Sequence, residues 1–348
     1  MKWLKALLIF LVISSAGSMQ AQDIHFSMFT MSPLTLNPAF TGAYSGTFRI
    51  GGIYRSQWAS VITPYKTPSF YIDAPIIQGF RASDWVGIGG MLYQDEAGVA
   101  GLTTGTYQLS LSYHIGLDKK GNSVLTIGTQ GGMTQRRLKT PGFLTFQDEI
   151  EGAMESPDRN IVGFNEDPKA DGGPNSSYFD LNAGLLFSQV LEDKGHFNIG
   201  LGMMHLLTPD YSLLKKGAED LRDLPIRINA HAELSYDLGE NWLVNPSFLY
   251  SSIGPASEAN LQALAGRYFG ENRDIAVKLG GGYRFGDAAE VILGIDYKQF
   301  RAGFSYDLNV SELREVTNLR GGFEVAVTYI ARIFKEPKVT PIIFCPRL

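Results

Sequence analysis

Five histidines, a cluster of acids and a scatter of serines are the residues of this chain whose types could do chemistry. The histidines are His25, His114, His196, His205 and His231. A histidine beside a serine could activate a nucleophile, and histidines grouped with acids could hold a metal. Ser110, Ser112 and Ser235 have no distinctive local context for a nucleophile. His114 and His231 fall on the polar positions of alternating runs, where a hydrogen-bonded interior histidine is the simpler expectation. The acids Asp148, Glu149, Glu151, Glu155, Asp158, Glu166, Asp167 and Asp171 lack the spacing of a calcium loop and read as a solvated surface. Gly280–Gly282 and Gly321–Gly322 sit inside strand-like runs and open no helix. They therefore speak for close backbone approach, not for a phosphate cradle. The pattern points to a non-enzyme with no catalytic, metal-binding or cofactor-binding residues and no cofactor.

The elements that must carry these residues are strands. In 103–115, Tyr107, Leu109, Leu111 and Tyr113 alternate with Thr106, Gln108, Ser110, Ser112 and His114. In 226–238, Ile226, Ile228, Ala230, Ala232 and Leu234 alternate with Arg227, Asn229, His231, Glu233 and Ser235. Side chains on a strand point alternately to opposite faces, so each run has one greasy and one wet side. Fourteen such runs are read at 46–58, 68–75, 84–95, 102–116, 123–138, 178–191, 195–207, 225–238, 241–252, 258–269, 273–286, 289–298, 299–308 and 318–333. Connections after odd runs include long ones (139–177, 208–224, 309–317), whereas those after even runs are mostly short and polar. That asymmetry and the even count predict an all-β fold, a transmembrane antiparallel β-barrel of about 14 strands. A soluble β-sandwich also alternates, but its wet face is normally rich in Lys and Glu. Here Ser, Thr, Asn, Gln and Gly dominate, with charges such as Arg227, Glu233, Asp296 and Glu324. Turning such an Arg toward mid-bilayer lipid would cost about 2–4 kcal/mol, so these charges must face a lumen. Aromatic residues near run ends, among them Tyr54, Trp58, Trp85, Tyr113, Tyr236, Trp242, Tyr268, Tyr297, Phe300, Tyr306 and Tyr329, are expected at the headgroup level.

The ends fit export to an outer membrane. Residues 1–21 read as a signal peptide, with Lys2 and Lys5 ahead of a short apolar core and cleavage near Ala21–Gln22. After removal, 28 basic residues face 35 acidic ones, which argues against a nucleic-acid partner. One cysteine, Cys345, excludes an internal disulfide framework. Residues 22–45 are too irregular for a strand and too apolar for a free tail, and are expected to form an N-terminal plug-like segment. Residues 46–334 form the barrel. Residues 335–348, with Pro337, Pro341 and Pro346, form an extended tail on the periplasmic side. Phe143, Phe146, Ile161, Val162 and Phe164 make the 139–177 loop unsuited to pure disorder and suggest a folded cap or a contact surface for another protein.

Specific strings go further. QDIHFSMFTMSPLTLNPAFTGAY at 22–44, YRSQW at 54–58, FRAGFSYDLNVSEL at 300–313, GGFEVAVTY at 321–329 and CPRL at 345–348 resemble the PorP/SprF family of type IX secretion membrane proteins. The most distinctive is the NPAFTG of Asn37, Pro38, Ala39, Phe40, Thr41 and Gly42. The resemblance implies an outer-membrane component of type IX secretion and gliding machinery. It also implies partners: an exported surface adhesin engaged and anchored through its C-terminal signal domain, periplasmic secretion components, and outer-membrane lipid. Asn37–Ala39 is also similar to the N-terminal hatch of long-chain fatty-acid channels, so a channel for hydrophobic molecules is the alternative function.

Overall fold

Alternation along fourteen runs produces fourteen antiparallel strands that pair in chain order, and β1 closes on β14. The computed structural model describes residues 23–59, 63–78, 83–98, 101–118, 121–139, 175–192, 194–213, 223–311 and 314–333. The first seven strands are β1 (Phe48–Gln57), β2 (Tyr65–Gln78), β3 (Trp85–Ala97), β4 (Leu102–Gly116), β5 (Ser123–Leu138), β6 (Asn175–Val190) and β7 (Gly195–Met204). The second seven are β8 (Arg227–Leu238), β9 (Trp242–Ile253), β10 (Ala256–Phe269), β11 (Ile275–Arg284), β12 (Ala288–Tyr297), β13 (Phe300–Asn309) and β14 (Arg320–Ala331). Closure leaves no unpaired edge, which is what a strand-built wall in hydrocarbon requires. No helix among the described residues is long and apolar enough to cross a membrane.

The two faces separate as the alternation demands. On β4, Leu109 is 76% exposed to the outside, while its neighbours Gln108 and Ser110 are 5% and 3% exposed. On β8 the inward Arg227, Asn229 and His231 are buried, and Ile228 between them is exposed. Glu324 on β14 likewise points inward and is fully buried.

Some boundaries move for local reasons. β2 is longer than its alternation suggests, because Pro68 and Pro75 mask its ends and a register shift between Pro75 and Ile77 absorbs the second proline. β7 stops at Met204, not 207, because His205 takes a positive φ of 59°. Two expected headgroup aromatics turn inward instead. Trp85 stacks on His114 with ring centroids 4.4 Å apart and donates to the Gly42 carbonyl. Tyr268 donates to Asp237 and carries Arg273 over its ring.

Residues 23–44 lie inside this ring of strands. They make a 3-10 turn at Phe29–Met31, a single α-helical turn at Pro33–Leu36 and a second 3-10 turn at Pro38–Phe40. We call the rim where odd strands end the upper rim and the other the lower rim. Asp23 bonds to groups near the upper rim, and Gly42 to groups near the lower one. The segment therefore traverses the lumen from top to bottom before it enters β1.

Candidate functional site

The lower anchor of this inner segment is Arg49 of β1. Its Nε and Nη2 donate to the two Asp73 oxygens, each at 2.9 Å, and Nη2 also donates to the Phe40 carbonyl at 3.0 Å. Asp73 in turn accepts the Gly42 amide at 2.6 Å. Gly42 has φ of 67°, and a Cβ there would stand 2.9 Å from the Gly87 Cα, so glycine is required at this bend. The carbonyl of Thr41 meets the Ser112 hydroxyl and His114 Nε2.

In the middle, Asn37 does three jobs. Its Oδ1 accepts the Ala39 amide and so caps the turn that Pro38 begins. Its Nδ2 donates to the Leu185 carbonyl and to His231 Nε2. The strands make room with glycine: a Cβ on Gly128 would lie 2.4 Å from the Ala39 nitrogen. Leu34, Leu36, Ala39 and Phe40 pack against Tyr71, Met91, Leu186 and Leu249, giving the lumen an apolar core.

The upper part is ionic. The Ser27 hydroxyl donates to Asp307 at 2.8 Å, and the Ser27 and Met28 amides donate to the Glu324 carboxylate at 2.6 and 2.8 Å. Arg55 bridges Glu324 and Asp307, and Arg284 also donates to Asp307 at 2.6 Å. Gln262 bonds both the Ser27 carbonyl and Glu290. Hence side chains of β1, β10, β11, β13 and β14 converge on Ser27 and Met28, and Glu290 of β12 braces Gln262 from behind.

Asp23 makes a second upper contact. Its carboxylate accepts from Arg227 Nη1 at 2.6 Å and meets His205 Nε2 at 3.1 Å, while His205 Nδ1 meets Asp180 at 2.7 Å. Burial opposes ionisation of Asp23, but Arg227 and His205 outweigh it and hold the carboxyl well below its usual range. Burial likewise opposes protonation of His205, but the hydrogen bonds it donates to Asp180 and Asp23 lift it to about 9. The signs fix a pH window. A raised histidine stabilises fully below its ordinary value near 6.5, and the stabilisation is lost as pH rises through about 9. A depressed aspartate contributes fully above 3.8 and loses its contribution as pH falls. The contact is therefore strongest between these limits. We expect protease cleavage around Asp23–Ser27 in the purified barrel to rise from pH 7 to pH 10, and His205→Asn to flatten that rise. A slope unchanged by the variant would refute the assignment to His205.

All six NPAFTG residues, Asn37, Pro38, Ala39, Phe40, Thr41 and Gly42, are thus buried inside the barrel. Phe143, Phe146, Ile161, Val162, Phe164 and Cys345 lie outside the described residues. His114 and His231 are not brought together in a reactive pair; each bonds a different residue of the inner segment. Among the described residues no group of three or more His, Cys, Asp or Glu could hold a metal ion. Ser27, Arg55, Arg284, Glu290 and Asp307 are not singled out by the sequence, and His205 is marked there only as one of five histidines. The signal was parity, because Arg55, Arg284, Glu290 and Asp307 each fall in step with the polar face of their strand.

Comparison with known proteins agrees with this architecture. A family model described as type IX secretion system membrane protein PorP/SprF matches residues 18–329. A search of curated proteins finds no match. Among solved structures, the toluene transporter TodX of Pseudomonas putida aligns with a TM-score of 0.53 and 11% identity, over 87% of this chain and 93% of that one. A TodX deletion mutant, described as a monoaromatic hydrocarbon channel, gives 0.50 and 13%, over 86% and 94%. The toluene transporter TbuX of Ralstonia pickettii gives 0.49 and 11%, over 87% and 94%. At such identities the likeness to TodX concerns the fold alone.

Proposed function

The chain belongs to the PorP/SprF family of type IX secretion system membrane proteins, and from that premise we propose that this outer-membrane barrel engages and anchors an exported surface adhesin through the adhesin's C-terminal signal domain. The observation that supports this reading is a lumen threaded from rim to rim, its segment bonded to opposing walls at the upper end and to β1, β2 and β4 at the lower end. Such a barrel is a fixed platform rather than an open pore. Its long connections, 140–174 and 205–226, both leave the upper rim, which in this reading faces outward and grips the partner. The lower rim, with the chain's C-terminal tail, then meets periplasmic secretion components, and the apolar belt meets outer-membrane lipid. The inner segment serves as a plug, with Asn37–Gly42 as its fixed turn.

Deleting 140–174 in the full chain tests this. The expected result is loss of the adhesin from the cell surface with the barrel still assembled at normal abundance. Retention of the adhesin would refute the loop's role. The alternative, a channel for hydrophobic molecules, expects unaltered retention together with reduced uptake of an apolar solute in a strain lacking the protein.

A further inference from the structure

The inner segment does not fill the lumen evenly. Its lower half packs toward β4–β6, and on the opposite side a cavity of about 120 Å³ is left beneath Met28 and Met31, against β7–β13. Two further cavities adjoin it, the first sharing Asp296 and Arg301 and the second sharing Asp296. Together they form a passage that opens among Lys298, Gln299 and Arg332 at the lower rim. Above, the passage ends at Gln262 and the Ser27 network. It is a vestibule closed at its inner end.

The walls of the inner chamber have two characters. Met28, Met31, Leu264 and Ile292 make one side apolar, with methionines that can adapt to a guest. On another side Lys278 Nζ and Arg301 Nε share a single carboxylate, Asp296, at 2.7 and 3.2 Å. Glu233 lies across the chamber and already accepts from Asn198 Nδ2. Along the passage Arg273 and Arg49 have acids of their own, Asp237 and Asp73. The remaining cations, Lys278, Arg301, Lys298 and Arg332, outnumber the acids Glu233, Asp296 and Asp274. Within the chamber Lys278 and Arg301 are matched by Asp296 and Glu233, so the surplus of one positive charge lies toward the mouth, where it raises the local concentration of anions. An apolar cavity of about 150 Å³ takes benzene; the chamber of about 120 Å³ together with the adjoining cavity of about 150 Å³ has room for a single small ring or a short chain and its carboxylate.

We propose that the lower vestibule binds a small organic monoanion, with its carboxylate between Lys278 and Arg301 and its hydrocarbon part under Met28 and Met31. The site is independent of the adhesin reading and would stand if that reading failed. Two variants separate charge from shape. Arg301→Gln removes one cation and leaves the Lys278–Asp296 pair intact. Gly294→Leu fills the chamber, and a Cβ at Gly294 meets nothing nearer than the Lys278 Cβ at 3.4 Å.

The test is calorimetric titration of the purified full-length protein, in a non-ionic detergent, with benzoate, toluene and benzylamine. Benzoate should bind at least tenfold more tightly than benzylamine. Arg301→Gln should weaken benzoate about tenfold and leave toluene unchanged, and Gly294→Leu should abolish both. Benzoate binding no tighter than benzylamine, or equal in wild type and Arg301→Gln, would overturn the proposal. Binding of benzoate that inorganic phosphate displaces at equal concentration would also overturn it, since the apolar wall would then contribute nothing.

Discussion

Glu324→Leu is expected to lower the stability of the purified barrel by about 3–5 kcal/mol, the scale for breaking a buried ion pair by removing one partner. Glu324 is fully buried and accepts from Arg55, from the Ser27 amide and from the Met28 amide. Leucine leaves two backbone donors without an acceptor, away from water, and leaves Arg55 Nη1 with only the neutral Ser27 hydroxyl in place of a carboxylate. Such a loss is a large part of a typical domain stability of about 5–15 kcal/mol. It should appear as a lowered midpoint in urea unfolding and as new protease cleavage within residues 23–32. Glu324→Gln keeps an oxygen for the amides and loses the charge, so it should fall between the two. Pairing Glu324→Leu with Arg55→Leu should recover part of the loss. The guanidinium is then gone as well, and Asp307 retains Arg284 at 2.6 Å. A double variant as unstable as the sum of the singles would show that the two side chains do not act as a pair.

How much of this was legible beforehand depends on the length of the pattern. β4 and β8 announce themselves because five or more consecutive alternations fix the face of every residue on them. The number and order of strands, and the inward aim of Arg227 and Glu324, follow from the same parity. β2 was harder, because two prolines interrupt the pattern and the shift at Pro75–Ile77 changes its phase. The inner segment has no periodicity at all. Its conformation is dictated by partners far along the chain, as when Asn37 reaches Leu185 and His231, or Ser27 reaches Asp307. Pairings at that separation carry no local signal. Glycine was a better guide than its reading allowed. Gly282 sits where a Cβ would meet the Glu290 carboxylate at 2.4 Å, so it makes room for the ion network itself. Aromatics misled where the ring has an inner partner, as Trp85 has in His114 and the Gly42 carbonyl.

The same parity makes the second large prediction, which concerns the outside of the wall. Leu109 stands near the middle of β4, 76% exposed, with Gly90 of β3 and Gly131 of β5 directly beside it. Nothing next to it can pair with a charge. If the exposed belt meets hydrocarbon, Leu109→Arg should cost about 2–4 kcal/mol in a lipid-vesicle folding equilibrium. The same change at Thr103, on the same face but at the upper end of the strand, should cost about 0–1 kcal/mol, because the guanidinium reaches the headgroups. A surface substitution on a sheet facing water is usually within about 0.5 kcal/mol at either position. The depth dependence is therefore what discriminates. Equal, small costs at Leu109 and Thr103 would mean that this face is wetted, and a wetted face cannot belong to a membrane-spanning barrel. A steep difference between the two places the apolar belt in lipid, with the inner segment and its ion network on the far side of a single layer of strands.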